Sequence, residues 1–229
     1  MAVALTGLSI VSSSAAGGSV PSAQQQEQQQ QRQEEEGCSR GLKVSMDVKG
    51  TSRIAKLGSR ITIGPGRFDG VICEGSGDDP RDLDIEGDLT LPSSDGYFVI
   101  FGFMPSTNTT DFVQDGKVKG TTRLDLPNMS SDVDMVAKLF IRVRDVKQDG
   151  VPINVGDDCR TAQSAVIPIK GKVNLEPGAE SVIKSRYEIP RFTGCGVTEN
   201  LNPLITGLVS GPDNLLTSRM KMRCIGCTD

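Results

Sequence analysis

The chain has 229 residues and a formal net charge of −4, and it contains neither histidine nor tryptophan. The lack of histidine excludes Ser-His-Asp and Cys-His catalytic relays, histidine-ligated zinc and histidine pH switches. Because only 4% of the residues are aromatic and the net charge is negative, binding of nucleic acid through base stacking and phosphate contacts is disfavoured as well. The composition therefore favours a binding or structural protein over an enzyme.

Residues 1–23 have the pattern of a secretory signal peptide. An apolar run from Ala2 to Val11 is followed by small residues and glycine, although no Lys or Arg precedes the run. The run is too short to span a bilayer, but it fits the apolar region of a signal peptide with a cleavage site between Ala16 and Ala23. We therefore predict a secreted or cell-surface protein without a transmembrane span.

Residues 24–36 form a Gln- and Glu-rich tract with no apolar side chain. Such a tract cannot bury enough surface to fold, so we predict a disordered tether. Self-assembly through glutamine is the alternative, but the charges of Glu27 and of residues 34–36 would repel neighbouring strands. A folded domain is predicted over residues 37–229, either as one unit or as two β subdomains over 37–127 and 128–229.

The dominant pattern of this domain is an alternation of apolar and polar residues. From Asp82 to Leu91, apolar residues occupy the odd positions and acidic residues the even ones as far as Asp88, which is typical of a half-buried strand. The alternation recurs in four further segments: Lys117–Leu126, Leu139–Val143, Ala165–Val173 and Ile183–Ile189. About ten short strands of this kind predict an all-β antiparallel sandwich or barrel, with one short helix over Glu199–Leu208.

Glycine-containing turn signals separate the predicted strands. We expect turns at Gly64-Pro65-Gly66 and at Ser94-Asp95-Gly96, and tight hairpins at Asp115-Gly116 and Asp149-Gly150. The apolar phase also shifts at Val146, as at a β-bulge or the end of a strand. Ile85–Pro92 and Val118–Pro127 both run from an apolar-x-Gly start to a Leu-x-Leu-Pro end, which fits a duplicated unit or two ordinary strands stopped by proline.

Clustered carboxylates between residues 78 and 88 are the best candidates for chemistry. Asp78, Asp79 and Asp82 could form a calcium site in the loop before the strand. An EF-hand is disfavoured, because Ser93 would stand where a bidentate Glu is needed and the strand is extended. The other interpretations are a solvated strand face opposite basic neighbours, and a pair of carboxylates acting in a glycosidase. Apart from calcium, we predict no cofactor.

The segment Tyr97–Met104 is apolar at both odd and even positions. This favours a strand that is buried on both faces in the middle of the domain. Alternatively, Phe98 and Phe101 form an exposed contact surface for another subunit or a component of the cell envelope. The second interpretation would make self-association possible.

Six cysteines in a chain that is predicted to be exported favour structural disulfides. The pattern Cys224-Ile225-Gly226-Cys227 also matches half of a redox or metal site, but the chain has no second Cys-x-x-Cys motif and no histidine. We favour three pairs: Cys159 with Cys195, then Cys38 with Cys73 and Cys224 with Cys227.

Several motifs together resemble a group of uncharacterised exported β-rich proteins of actinobacteria. The resemblance covers nearly everything after the Gln-rich tract and rests on these segments: Gly64–Gly70, Gly87–Pro92, Gly102–Pro105, Gly150–Thr161, Ile189–Gly196, Asn202–Leu204 and Ser210–Asn214. It implies export and an all-β fold, but it supplies no catalytic residue. Cysteines matching Cys159 and Cys195 recur in that group, which supports their pairing, whereas Cys73 and the Cys224/Cys227 pair depart from it.

Taken together, the sequence predicts an exported, disulfide-stabilised and non-enzymatic protein of the cell envelope or extracellular space. Its expected partner is a protein or an envelope component rather than a nucleic acid. A secreted carboxylate-dependent glycoside hydrolase and a calcium-stabilised adhesion module are the alternatives.

Overall fold

The computed structural model describes Cys38, residues 41–75, Gly77, Asp79 and residues 81–227. The predicted signal peptide (1–23), the predicted tether (24–36) and Asp78 lie outside these described residues. The described residues from Cys38 onward form one compact unit.

The all-β fold with one short helix near the C-terminus is confirmed. The described residues form thirteen strands, namely β1 (Leu42–Ile54), β2 (Ser59–Cys73), β3 (Leu83–Thr90), β4 (Ser94–Ile100), β5 (Met104–Gln114), β6 (Val118–Asp125), β7 (Ser130–Gln148), β8 (Val151–Pro152), β9 (Arg160–Thr161), β10 (Ala165–Asn174), β11 (Glu180–Ile189), β12 (Phe192–Thr193) and β13 (Gly211–Ile225). The helix α1 spans Asn202–Val209. It has Pro203 in its first turn, where the missing N–H of proline leaves no hydrogen bond unmade.

All strands belong to one antiparallel sheet whose main order is β11-β13-β1-β2-β3-β6-β7-β5-β4. The strand β10 pairs with β7 along the edge opposite the one that pairs with β6. The alternation of apolar and polar residues gives the sheet an inner and an outer face, because successive side chains of a strand point to opposite faces. In β11, for example, buried and exposed residues strictly alternate. The sheet curls until β10 and β11 lie side by side. No ladder joins these two strands, but Ser185 Oγ donates a hydrogen bond to the Pro168 carbonyl, and the Asn174 N–H donates to Ser181 Oγ at 2.8 Å. The sheet is therefore rolled around a core but not closed.

The strand β7 organises one half of the sheet. It is 19 residues long, and β6 pairs with its first half and β5 with its second half along the same side. The predicted hairpin at Asp115-Gly116 is therefore wrong. The chain does not reverse there, because both β5 and β6 run antiparallel to β7, and the Asp115 N–H bonds the Lys138 carbonyl of β7 at 2.9 Å.

Other turn signals also have mixed outcomes. At Asp149-Gly150 both residues have positive φ, 50° and 79°, and join β7 to β8 in the predicted hairpin. Gly64-Pro65-Gly66 is no turn but a bulge within β2, where two residues lie opposite the single Lys49 of β1. Ser94-Asp95-Gly96 likewise lies within β4, paired with β5.

The two similar stretches are hydrogen-bonded neighbours. Ile85 of β3 pairs with Gly120 of β6, and Gly87 of β3 pairs with Val118 of β6. Each apolar residue thus lies opposite a glycine of the other strand. The bulk that each glycine avoids lies on a third strand, because a Cβ at Gly87 would meet β2 and a Cβ at Gly120 would meet β7.

Candidate ligand-binding cavity

The wall of the rolled sheet is interrupted between β2 and β4. The second half of β2 pairs with β3, from Arg67 opposite Thr90 to Cys73 opposite Asp84, whereas its first half pairs only with β1. The strand β4 pairs only with β5. β4 and β2 lie side by side, yet no ladder joins them in the described part of the chain. This interruption is called the β2–β4 gap below.

Behind the β2–β4 gap lies a cavity of about 120 Å³, walled by β2, β4, β5, the second half of β7 and α1. The side chains from β7 and α1 that line it are apolar except for one: Ile141, Val143, Val146, Gln148, Leu204, Ile205, Leu208 and Val209. A second cavity of about 60 Å³ adjoins the first and shares Phe112, Ile141 and Tyr187 with it. The interior of the sheet is thus loosely filled at this end.

Asn108 is the unusual polar residue of the cavity wall. It lies on β5 opposite Gly96 of β4, and its side chain is only 8% exposed. Its Nδ2 donates to Thr110 Oγ1 at 2.8 Å, but its Oδ1 accepts no hydrogen bond from the described residues. A Cβ at position 96 would collide with Asn108 Oδ1, so any residue other than glycine there would force the amide to move.

Tyr187 of β11 is another polar group that lines both cavities. Its hydroxyl shares a hydrogen bond of 2.7 Å with Ser52 Oγ, and both residues are buried. Burial raises the pKa of Tyr187, although the hydrogen bond with Ser52 lowers it in part. The phenol therefore stays neutral near pH 7, and its hydrogen bond is already satisfied within the protein.

The helix α1 is fixed over the cavity by polar contacts at both ends. Asn202 Oδ1 accepts a hydrogen bond from the Cys195 N–H at 2.7 Å, and Thr206 Oγ1 accepts one from the Phe192 N–H at 3.0 Å. From the other side, Lys56 Nζ in the β1–β2 turn donates to the Gly207 carbonyl at 3.3 Å. Ile205 is the buried residue of the helix and points its side chain into the cavity.

The mouth of the cavity is formed in part by the β4–β5 hairpin. The prediction of a single strand over Tyr97–Met104 is wrong, because Phe101 and Gly102 both take positive φ and the chain reverses there. Phe101 and Phe103 at the tip are 70% and 73% exposed. Phe98 is half-buried and lines the cavity, so of the two residues predicted as a contact surface only Phe101 presents an exposed ring.

The residues predicted for calcium are held by arginines. Asp79 Oδ2 lies 2.9 Å from Arg81 Nη2 and 3.0 Å from Arg123 Nη2, and Asp82 Oδ1 lies 2.6 Å from Arg123 Nη2. The hydrogen bond from Arg81 holds the pKa of Asp79 at about 2. Within the described residues, which omit Asp78, no group of three or more acidic or cysteine side chains could hold a metal. The calcium site therefore stays a prediction.

The carboxylates of β3 lie away from the cavities. Glu86 pairs with Lys117 Nζ at 2.8 Å and faces Lys119 across the sheet, as expected for a strand face opposite basic neighbours, although its side chain is only 12% exposed. Neither Asp nor Glu is among the described residues that line the two cavities. The structure thus does not bring together the pair of carboxylates that a glycosidase would need at such a site.

All six cysteines are paired, as Cys159–Cys195, Cys38–Cys73 and Cys224–Cys227. Cys159 and Cys195 are both buried, and their bond ties the loop before β9 to the segment before α1. Cys195 also donates its N–H to Asn202, so this disulfide anchors the start of the helix that covers the cavity.

Among the described residues, no helix is both long and apolar enough to cross a membrane. The chain matches no protein-family model, no curated protein and no solved structure. The resemblance to exported actinobacterial proteins therefore stays a prediction. Three disulfides fit an extracellular protein, because such bonds persist in oxidising compartments.

Proposed function

We propose that this chain is an extracellular, non-enzymatic binding protein that holds a small apolar molecule in the cavity behind the β2–β4 gap. The observation that carries this proposal is an apolar cavity of about 120 Å³ next to an unpaired stretch of the sheet wall. An engineered apolar cavity of about 150 Å³ in another protein stays dry and binds benzene. The cavity therefore suits one aromatic ring or a short alkyl chain rather than a whole lipid.

The two alternatives from the sequence receive less support. A glycoside hydrolase needs a pair of carboxyl groups on either side of the bond that it cleaves, and the described walls of both cavities are free of carboxylates. In the calcium-dependent adhesion module, Asp79 and Asp82 would have to exchange their arginine partners for the metal.

Filling the cavity should abolish ligand binding. Val143 is buried on β7 and lines the cavity, so Val143→Phe places a ring where the ligand would lie. We expect toluene to raise the melting temperature of the unmodified protein, because a ligand that binds only the folded state stabilises it. The same toluene concentration should leave Val143→Phe unchanged, with calorimetric titration as the second measurement.

Val166→Phe is the matched control, because Val166 lies exposed on β10 and does not line the cavity. This variant should bind toluene like the unmodified protein. If Val143→Phe does not fold, Leu208→Trp in α1 provides a second obstruction of the same cavity. Absence of both heat and a melting shift with the unmodified protein would refute the proposed function.

A second candidate function is docking of the cavity mouth to an anionic lipid surface. The exposed rings of Phe101 and Phe103 form the hairpin tip, and the exposed cation Arg60 lines the β1–β2 side of the same mouth. Lys56, also exposed, lies in the adjacent β1–β2 turn, where its Nζ donates to the Gly207 carbonyl. Apolar side chains that enter the lipid boundary beside cations that meet anionic headgroups are the usual combination at membrane surfaces. This surface supports an anionic lipid as the predicted envelope partner.

Replacing both rings should weaken this docking. The double variant Phe101→Ser/Phe103→Ser should bind phosphatidylglycerol vesicles about a thousandfold less tightly, because each of the two buried rings contributes on the order of 2 kcal/mol. Val166→Ser/Val182→Ser, on the exposed faces of β10 and β11, is the control and should bind normally in a vesicle co-sedimentation assay. Equal binding of both double variants would contradict lipid docking. Concentration-dependent sedimentation that only Phe101→Ser/Phe103→Ser abolishes would assign the surface to a second copy of the chain.

A further inference from the structure

We infer that an open groove on the outer face of β1, β2 and β13 binds a linear acidic polysaccharide. The groove has a volume of about 570 Å³, and four exposed cations line it: Lys49, Arg53, Arg60 and Arg219. No acidic side chain is among the described residues of its lining. This basic groove is a site of its own, because it shares only Arg60 with the cavity behind the β2–β4 gap.

The cations of the basic groove form two like-charged pairs across neighbouring strands. Arg53 of β1 lies directly opposite Arg60 of β2, and Lys49 of β1 lies directly opposite Arg219 of β13. Like charges that are directly opposite each other lower the stability of a sheet, and an anion lying between them would remove that repulsion. Because the whole chain has a net charge of −4, the positive charge is a local property of this face.

One of the two pairs already holds a carboxylate of the protein. The Glu180 side chain of β11 lies 3.0 Å from Lys49 Nζ through one oxygen and 2.8 Å from Arg219 Nη1 through the other. This carboxylate shows which kind of group the pair attracts. Its single charge does not neutralise both cations, so this end of the groove keeps a net positive charge.

The other pair has no partner. Arg53 and Arg60 form neither a hydrogen bond nor an ion pair in the described part of the chain. Asp213, an exposed acid of β13 near this end, is already paired with Arg186 at 3.8 Å. Lys184, exposed on β11, extends the positive face and is likewise unpaired among the described residues. This end is therefore open to an anionic group from outside.

The distance between the two pairs suits a polymer rather than a single ion. Lys49 and Arg53 are four residues apart on β1, which separates the pairs by about 13 Å along the strand. Between them a row of threonines crosses the three strands, namely Thr62, Thr51 and Thr217. Their hydroxyls form no hydrogen bond with a described residue, so they can bond sugar hydroxyls between two anionic groups of one chain.

The lining also distinguishes a polysaccharide from other polyanions. The described lining contains no aromatic side chain on which a nucleic-acid base could stack. Its one apolar side chain in the described chain is the half-buried Leu215, whereas a lipid-binding surface needs several that enter the lipid boundary. Carboxylate or sulfate groups on a chain of sugars need only charge-assisted hydrogen bonds from Arg and Lys, which this groove supplies.

The test is a calorimetric titration with three probes: alginate, which is carboxylated, dextran sulfate, and neutral dextran. The unmodified protein should bind an acidic probe and not neutral dextran. Arg53→Gln/Arg219→Gln removes one cation from each pair and should bind about 25-fold less tightly, because each such charge contributes about fivefold. Its affinity should also fall less steeply with salt, since fewer counterions are exchanged.

Lys138→Gln/Arg191→Gln is the matched control, because it removes two exposed cations that do not line the groove. This variant changes the net charge equally and should keep the affinity of the unmodified protein. If Arg53→Gln/Arg219→Gln does not fold, Arg53→Gln alone removes a side chain without a partner in the described chain and should bind about fivefold less tightly.

The outcomes are separate from those of the cavity, since neither Arg53 nor Arg219 lines it. Binding of alginate alone or dextran sulfate alone would support the inference and identify the anionic group. Failure of both to bind, or equal affinity of the two double variants, would overturn it. Polyglutamate, single-stranded DNA and phosphatidylglycerol vesicles are the competing probes. Tighter binding of any of these through Arg53 and Arg219 would overturn the assignment to a polysaccharide.

Discussion

Replacing Cys159 and Cys195 together by serine is expected to lower the free energy of unfolding by about 4 kcal/mol. The bond joins residues 36 positions apart, so its removal gives back much conformational freedom to the unfolded chain. Both cysteines are also buried, with 0% and 3% exposure, so two hydroxyl groups would enter the core. Because domains of this kind are stable by only about 5–15 kcal/mol, urea unfolding should show a large shift of the midpoint.

The pair Cys224–Cys227 offers the matched control. Its cysteines are only three positions apart, so Cys224→Ser/Cys227→Ser should cost about 2 kcal/mol in the same entropy model. The first double variant should also weaken toluene binding, because Cys195 holds the start of α1 through Asn202. Equal losses of stability in the two double variants would contradict this ranking.

Gly87→Val is expected to lower the free energy of unfolding by about 3 kcal/mol or more, since added bulk in a packed core forces the backbone to move. Gly87 of β3 lies opposite Gly70 of β2, and a Cβ at position 87 would lie 2.6 Å from the Gly70 Cα and 2.8 Å from the Phe68 ring. The two glycines thus form the flat surface on which the buried Phe68 ring packs. Neither the Gly70 backbone nor this ring can give way without disturbing the core.

The control for this substitution is Gly207→Ala in α1. A Cβ at position 207 meets no atom within 4 Å, and alanine is the better helix former by up to about 1 kcal/mol. Gly207→Ala should therefore leave the melting temperature unchanged or raise it, whereas Gly87→Val lowers it. A small loss of unfolding free energy in Gly87→Val would mean that Phe68 does not pack against Gly87 and Gly70 as described.

The period of two was sufficient to predict the class of fold and five of the thirteen strands, namely β3, β6, part of β7, β10 and β11. The signal is local, because alternation follows from the pleat of a strand that is buried on one face. Turn signals were less informative, since the strand that pairs with the flanking residues decides whether the chain reverses at a turn signal. Asp149-Gly150 reverses the chain. Asp115-Gly116 has the same residue types, but the chain continues along β7 there, because β7 is long enough to pair with β5 before these two residues and with β6 after them.

The site could be predicted only in part. The strand that carries Asn108 was not predicted. Alternation indicates which residues face inward, but it is absent over Tyr97–Met104 and therefore did not place Phe98. It does not indicate where neighbouring strands fail to pair, because that depends on the registers of β2 with β3 and of β4 with β5 together. The β2–β4 gap and the unpaired oxygen of Asn108 consequently have no signal in the sequence. The exposed tip at Phe101 was also obscured, because its turn consists of aromatic residues around a single glycine.

The β2–β4 gap has a consequence for the kinetics of binding. In a continuous ladder, a ligand could reach the interior only after several backbone hydrogen bonds had broken. At the gap, β4 can move away from β2 without breaking a ladder between them, because none is formed in the described chain. The same two strand edges face each other, which shields them from pairing with a strand of another molecule. One interruption of the sheet would thus allow rapid exchange of the proposed ligand while it protects the protein from aggregation along these edges.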